Sequence, residues 1–143
     1  MTDFILDQFL PYRLSVLAGR TSRGFAEVYR RRFGLSVAEW RVMAHLSQTD
    51  SVSVREIHLQ ADLEKSKASR AAARLESAGL IVKRPDRSDK RLVALSLSSE
   101  GRAMMDEVIP LARDYEASLL GALSPEDQAA LDRIVNALLT RAA

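Results

Sequence analysis

The chain is 143 residues long and 47% hydrophobic, with 21 Lys and Arg against 19 Asp and Glu, which suits one hydrophobic core in one folding unit and leaves a net charge of only +2. With no cysteine and only His45 and His58, a disulfide framework, a thiolate metal site and a thiol redox sensor are excluded, and no cofactor or metal is expected. No apolar run reaches the length of a membrane span and the N-terminus lacks the pattern of a secretory signal, so a cytoplasmic location is expected.

From Phe9 to Phe33, apolar residues recur at Leu10, Leu14, Leu17, Phe25, Val28 and Phe33, spacings of three and four that predict one long amphipathic helix. Gly19 and Gly24 interrupt the pattern without stopping it. Arg30-Arg31-Arg32 complements the negative end of the helix dipole or meets phosphate, and Gly34 closes the segment. Ser36-Val37-Ala38-Glu39 is a capping box opening a second helix through Leu46, with Val37, Trp40, Met43, Ala44 and Leu46 facing inward. Trp40 at helical spacing among aliphatics reads as packing, and as the wall of a ligand cavity in the alternative. His45 and His58 read as surface or helix-packing residues, and Gln48 to Val52 as a loop.

Ser53-Val54-Arg55-Glu56 is another capping box, so a short helix is predicted from Val54, with a turn at Ala61-Asp62-Leu63. The run from Lys65 to Ala78 is rich in alanine and long unbranched residues and predicts a helix. At 100° per residue Ala68, Ala71, Ala72 and Leu75 share a packing face, while Ser66, Ser69, Arg70, Ala73 and Arg74 spread over the other with Lys67 on its flank. Arg, Lys and Ser on an exposed helix face suit phosphates and base edges, where Arg bonds guanine bidentately. Lys65, Ser66, Lys67, Ser69, Arg70 and Arg74 are therefore candidate DNA contacts, together with Arg55 on the preceding helix. Glu64 stands where Asp or Ser would be a better N-cap.

Gly79 stops the helix as a left-handed C′ residue, with Leu80 supplying the apolar contact after it. Two β-rich runs, 81–84 and 92–97, flank a polar connection from Pro85 to Arg91, predicting a hairpin with a charged tip that places Arg87 and Lys90 outward. Helix, turn, helix and hairpin make a winged helix-turn-helix. After it, Ser98 caps a long amphipathic helix from Ser99 to about Leu120, in which Pro110 predicts a kink. Ser124 as N-cap and Pro125 at the first helical position open a last helix with an apolar face of Leu131, Ile134, Val135, Leu138 and Leu139. The first and last helices carry wide apolar stripes that a second copy of the chain would bury.

The expected fold class is mainly α with a small β-hairpin wing, divided into an N-terminal dimerisation helix (1–35), a winged helix-turn-helix (36–97) and C-terminal dimerisation helices (98–143). Charge follows this division. Residues 62–91 hold nine cations and five carboxylates, a balance of +4, while residues 98–143 hold four cations and eight carboxylates, a balance of −4. No nucleophile, base and orienter can be assembled, so no enzyme is expected. The expected function is sequence-specific binding of double-stranded DNA, with a helical protein-interaction module as the alternative.

The order of elements, with Glu39-Trp40-Arg41-Val42-Met43, Arg74-Leu75-Glu76-Ser77-Ala78-Gly79-Leu80-Ile81, Asp89-Lys90-Arg91 and Leu97-Ser98-Ser99-Glu100-Gly101, resembles the MarR family of bacterial transcriptional regulators over nearly the whole chain. The resemblance implies a homodimeric repressor with interlocked terminal helices on a pseudo-palindromic operator. It places a recognition helix in each major groove and a wing in each flanking minor groove, with Arg91 entering the minor groove and Asp89 orienting it. It also implies a small anionic, often aromatic effector, or its coenzyme A thioester, in a crevice lined here by Tyr12, Arg13, Leu17, Arg20, Trp40, Met43, Met104 and Val108.

Overall fold

The computed structural model describes residues 3–142. A single turn of 3-10 helix (Leu6–Gln8) precedes α1 (Leu10–Phe33), which ends at Gly34, whose N–H donates to the Arg30 carbonyl. The helix runs through Gly19 and Gly24, as its spacing predicts. α2 (Val37–Leu46) opens on the complete capping box: Ser36 Oγ accepts from the Glu39 amide at 3.1 Å, and Glu39 Oε1 accepts from the Ser36 amide at 3.3 Å. α3 (Val54–Gln60) and α4 (Lys65–Ser77) follow, then β2 (Ile81–Pro85) and β3 (Val93–Leu97).

The hairpin is joined by a strand that the sequence reading leaves as loop. β1 (Val52–Ser53) pairs antiparallel with β3, Val52 opposite Leu95 and Ser53 opposite Ala94, so the sheet order is β1-β3-β2. Two residues are too short to show alternation, and β1 owes its conformation to a partner forty residues away. β2 and β3 pair from Ile81 opposite Leu97 to Pro85 opposite Val93. Pro85, which has no amide to donate, ends the ladder.

Chain contacts group the protein into two compact units that divide between Ile109 and Pro110. In the first unit, Ala68, Ala71, Ala72 and Leu75 of α4 are buried against α2 and α3, together with Val42, Met43, Leu46 and Ile57. Val42 is fully buried although the spacing singles out Val37 and Ala44, which lie half-buried at the edges of the same face. Phe25, Tyr29 and Trp40 form an aromatic cluster between α1 and α2, with Trp40 stacked on Tyr29 at 5.5 Å and edge-on to Phe25 at 5.2 Å. Trp40 is thus a packing residue.

α5 (Ser99–Leu120) starts in the first unit and passes through Pro110 without a break in its helical assignment. Its start is keyed to the end of α4. Ser98 donates its amide to the Leu80 carbonyl at 3.0 Å and its hydroxyl to the Gly79 carbonyl at 2.6 Å, while Ser98 Oγ accepts from the Gly101 amide at 3.0 Å. In the second unit α6 (Pro125–Ala142) is capped by Ser124, which accepts from the Asp127 amide at 3.1 Å. Gln128 closes the α5–α6 turn by donating to the Leu120 and Leu123 carbonyls. No described residue of α6 is buried.

Candidate nucleic-acid interface

The helix-turn-helix is held by its own ends. Ser53 Oγ accepts from the Glu56 amide at 3.2 Å, one half of the expected capping box. After α3, Asp62 takes a left-handed conformation (φ 54°), the Leu63 amide reaches back to the His58 carbonyl, and the Asp62 amide to that of Leu59. Asp is one of the few residues beside Gly that visits this region, so the turn is sharp without a glycine. Arg41 of α2 donates to the Asp62 carbonyl at 3.1 Å and fixes the turn from outside.

α4 presents the two faces its sequence predicts. Ala68, Ala71, Ala72 and Leu75 are buried, whereas Lys65, Ser66, Lys67, Ser69, Arg70, Ala73 and Arg74 are exposed. Alanines on the inner face bring the helix backbone close to α2 and leave the polar side outward. Glu64 makes no side-chain cap bond. Arg74 is engaged, its Nε 3.6 Å from Glu39 Oε1, the oxygen that also closes the α2 capping box. The helix ends in a full Schellman motif, with Leu80 bonding the Leu75 carbonyl and Gly79 that of Glu76. Gly79 has φ 77°, which a side chain at this position would oppose.

The wing connection is ordered by two aspartates. Asp86 accepts from the Ser88 hydroxyl and the Asp89 amide, making an Asx-type turn. Asp89 takes Arg91 in a fork: Nε donates to Oδ1 at 3.0 Å, Nη2 to Oδ2 at 3.1 Å, and the Arg91 amide also to Oδ1. The Arg91 side-chain bond, the Arg91 amide and, more weakly, the charge of Arg55 hold the Asp89 carboxyl below the usual carboxylate range, and the same bond raises Arg91 above the usual guanidinium value. The Arg91 side chain is 89% exposed, so the fork directs it without hiding it. Arg87 and Lys90 are exposed in the same connection.

Between α3, α4 and the wing lies a depression of about 360 Å³ lined by Arg55, Lys65, Ser69, Lys83 and Arg91, with Val54, Leu92 and Val93. Four of the sequence-selected residues from three elements therefore meet in one concavity, joined by Lys83. Lys83 escapes the sequence reading because a cation in a strand carries no mark of which face it serves.

The expected effector residues are only partly brought together. Tyr12, Arg13, Leu17 and Arg20 line a groove of about 500 Å³ along α1 with Asp7, Leu10, Leu14 and Val16. Trp40 belongs to the aromatic cluster, Met43 and Val108 are fully buried in the core, and Met104 is half-buried. Among the described residues no group of three His, Asp or Glu could hold a metal ion, and no helix is long and apolar enough to cross a membrane.

A family model described as the MarR family matches residues 33–92, from the end of α1 through the wing. The HTH-type transcriptional repressor MdtR of Bacillus subtilis is 31% identical over 94 residues, which is 66% of this chain and 61% of that protein. The transcriptional repressor MprA of Escherichia coli K12 is 28% identical over 110 residues, 76% of this chain and 62% of that protein. The aligned part thus spans about three fifths of the length of these curated relatives. A solved MarR-family transcriptional regulator from Silicibacter pomeroyi matches with a TM-score of 0.86 at 28% identity, over 99% of this chain and 100% of that one. The winged region thus resembles the MarR family in sequence, and the whole fold is that of a MarR-family transcriptional regulator matched at 28% identity.

Proposed function

We propose that this protein is a homodimeric repressor that reads a pseudo-palindromic operator with α4 in the major groove and the wing in the flanking minor groove. The observation that carries the reading is the division of α4 into a buried alanine face and an exposed face of Ser66, Ser69, Arg70 and Lys67, beside a wing whose arginine is already aimed. Arg70, in the middle of that face, reads a base. Lys65, Lys67 and Arg74 nearer its edges, with Arg55 behind, neutralise phosphates, and Arg87, Lys90 and Arg91 enter the narrow groove.

Residues 1–35 and 98–143 supply the dimer in this reading. Leu10, Leu14 and Leu17 of α1 and Leu131, Ile134, Val135, Leu138 and Leu139 of α6 are exposed in the single chain, Leu139 at 64%. Apolar stripes of this width are rarely left in water. Two-fold symmetry then sets two copies of α4 on one side of the duplex, with half-sites roughly 10 bp apart. Selection of bound duplexes from a random pool tests this. The expected product is an inverted repeat with that spacing, and a pool that stays random under selection overturns it.

Repression is relieved in this reading by a small anionic, aromatic effector, or its coenzyme A thioester, at the α1 groove, where Arg13 and Arg20 meet the anion and Tyr12 and Leu17 the apolar part. Such a ligand acts only by binding the form of the dimer that does not fit DNA more tightly than the form that does. A screen of aromatic acids and thioesters for release of operator DNA tests the site. Undiminished potency on both Arg13→Ala and Arg20→Ala would place the anion elsewhere.

A further inference from the structure

Lys83 lies on β2, outside both the recognition helix and the wing tip, yet it lines the depression shared by Arg55, Lys65, Ser69 and Arg91. Its ammonium is 3.5 Å from Glu76 Oε1, on the last turn of α4, and its side chain is only 32% exposed. A lysine stem of four carbons ordinarily sweeps a wide volume and loses much entropy when it is ordered. Here the Glu76 pair restrains that motion before any ligand arrives. The ammonium has three donors, and an ion pair at 3.5 Å to one carboxylate oxygen leaves donors for a second anion.

The other long cation on the hairpin side of the depression is restrained in the same manner, because Arg91 is forked onto Asp89. A carboxylate beside each of the two hairpin cations offsets their mutual repulsion in the free protein and leaves both heads beside one concavity. The concavity also carries the Ser69 hydroxyl from the exposed face of α4 and Arg55 from α3. Its volume of about 360 Å³ is ample for a phosphodiester group, and its cations come from four different elements. Strand β2 and the two helices of the reading motif would thus close on one point of the backbone, beside the groove that Arg91 enters.

We propose that this depression seats a single backbone phosphate of bound DNA and that Lys83, held by Glu76, is one of its ligands. The inference rests on the DNA-binding reading above and adds to it a contact from the body of the hairpin. A phosphate ligand is blind to sequence, so its loss lowers affinity for every duplex alike and removes about one released counterion per protomer, or about two per dimer, from the salt dependence.

The test uses Lys83→Met, which keeps an apolar stem of similar length without the charge, and Lys83→Arg, which keeps the charge. Binding of a fluorescein-labelled mixed-sequence duplex by the full chain is measured between about 50 and 200 mM salt. Lys83→Met, which removes one contact from each protomer of the dimer, is expected to bind about tenfold more weakly, with a log–log salt slope shallower by about 1.8, and Lys83→Arg to restore most of both. Because water reaches both partners of the Lys83–Glu76 pair and such pairs add little to stability, the melting temperature of Lys83→Met should stay close to that of the parent, and circular dichroism verifies this. An affinity within twofold of the parent at an unchanged slope overturns the assignment of Lys83 while leaving the DNA reading intact. A parent chain that binds no duplex even at the lowest salt overturns both.

Discussion

Gly101 leaves no room for a side chain. A Cβ built on it falls well inside contact distance of the Leu80 carbonyl oxygen, 3.1 Å from the Leu80 carbonyl carbon and 3.3 Å from Leu97 Cδ2. The obstruction is backbone, and that carbonyl already accepts the Ser98 amide, so it cannot turn aside without losing a bond. Gly101→Ala must therefore push the start of α5 away from the end of α4 by about 1 Å to regain ordinary contact. Overpacking of this kind costs about 1–3 kcal/mol, loss of the Ser98 bond about 1 more, and the helix preference of alanine returns somewhat less than 1. A net loss of about 1–3 kcal/mol lowers the melting temperature by roughly 3–12 °C for a chain of this length. Thermal unfolding by circular dichroism measures it, with Gly19→Ala as the control. There the nearest atom, at 3.1 Å, is the tip of the flexible Arg23 side chain, and stability should hold or rise. If Gly101→Ala melts within 2 °C of the parent, where ~1 kcal/mol would shift it by about 2–8 °C, the close keying of α5 to α4 is refuted.

Tyr29 is 1% exposed and its hydroxyl has no hydrogen-bond partner among the described residues, so Tyr29→Phe is expected to stabilise the chain by about 1 kcal/mol, while a fall of several degrees in melting temperature would reveal a partner for the hydroxyl. Burial also raises the Tyr29 pKa, so its contribution is fully present below the usual phenol value of about 10 and is lost as pH rises through the raised one, and Tyr29→Phe should blunt alkaline unfolding. The Asp89 carboxyl is depressed, so its pairing with Arg91 is complete above the usual value of about 4 and is lost only as pH falls through the lowered one. Duplex affinity should therefore not lose this contact between about pH 5 and 8. Asp89→Asn, which frees Arg91, should weaken binding chiefly on A·T-rich flanks, and equal losses on G·C-rich flanks would make Arg91 a phosphate contact instead. Sedimentation at micromolar concentration should give a dimer without DNA, and a folded monomer would contradict the burial of the α1 and α6 stripes by a second copy.

What was legible in the sequence is what short-range chemistry decides. Ser36 and Glu39, Ser53, Ser124 with Pro125, and Gly79 each set a helix end through contacts three or four residues away, and each end lies where the residues place it. The alanine stripe of α4 needed only helical periodicity. Long-range partners left no such mark. β1 exists because β3 lies beside it, Arg41 braces a turn twenty-one residues on, and Arg74 is drawn to a Glu39 whose local job was already complete. The proposed effector set shows the same limit. Seven-residue spacing puts Arg13 and Arg20 along one groove, whereas Met43 and Val108, chosen for their chemistry, are sealed in the core. Lys83 was visible as a charge and invisible as a position, since only the docking of β2 on α4 brings it to Glu76.

The most direct measurement is the affinity of folded Arg70→Ala for the selected operator against a mixed-sequence duplex at one salt concentration. If α4 reads bases through this residue, operator affinity falls by about 1–3 kcal/mol while preference relaxes at one position of each half-site and the mixed duplex is much less affected. Operator affinity equal to that of the parent would remove α4 from the reading role.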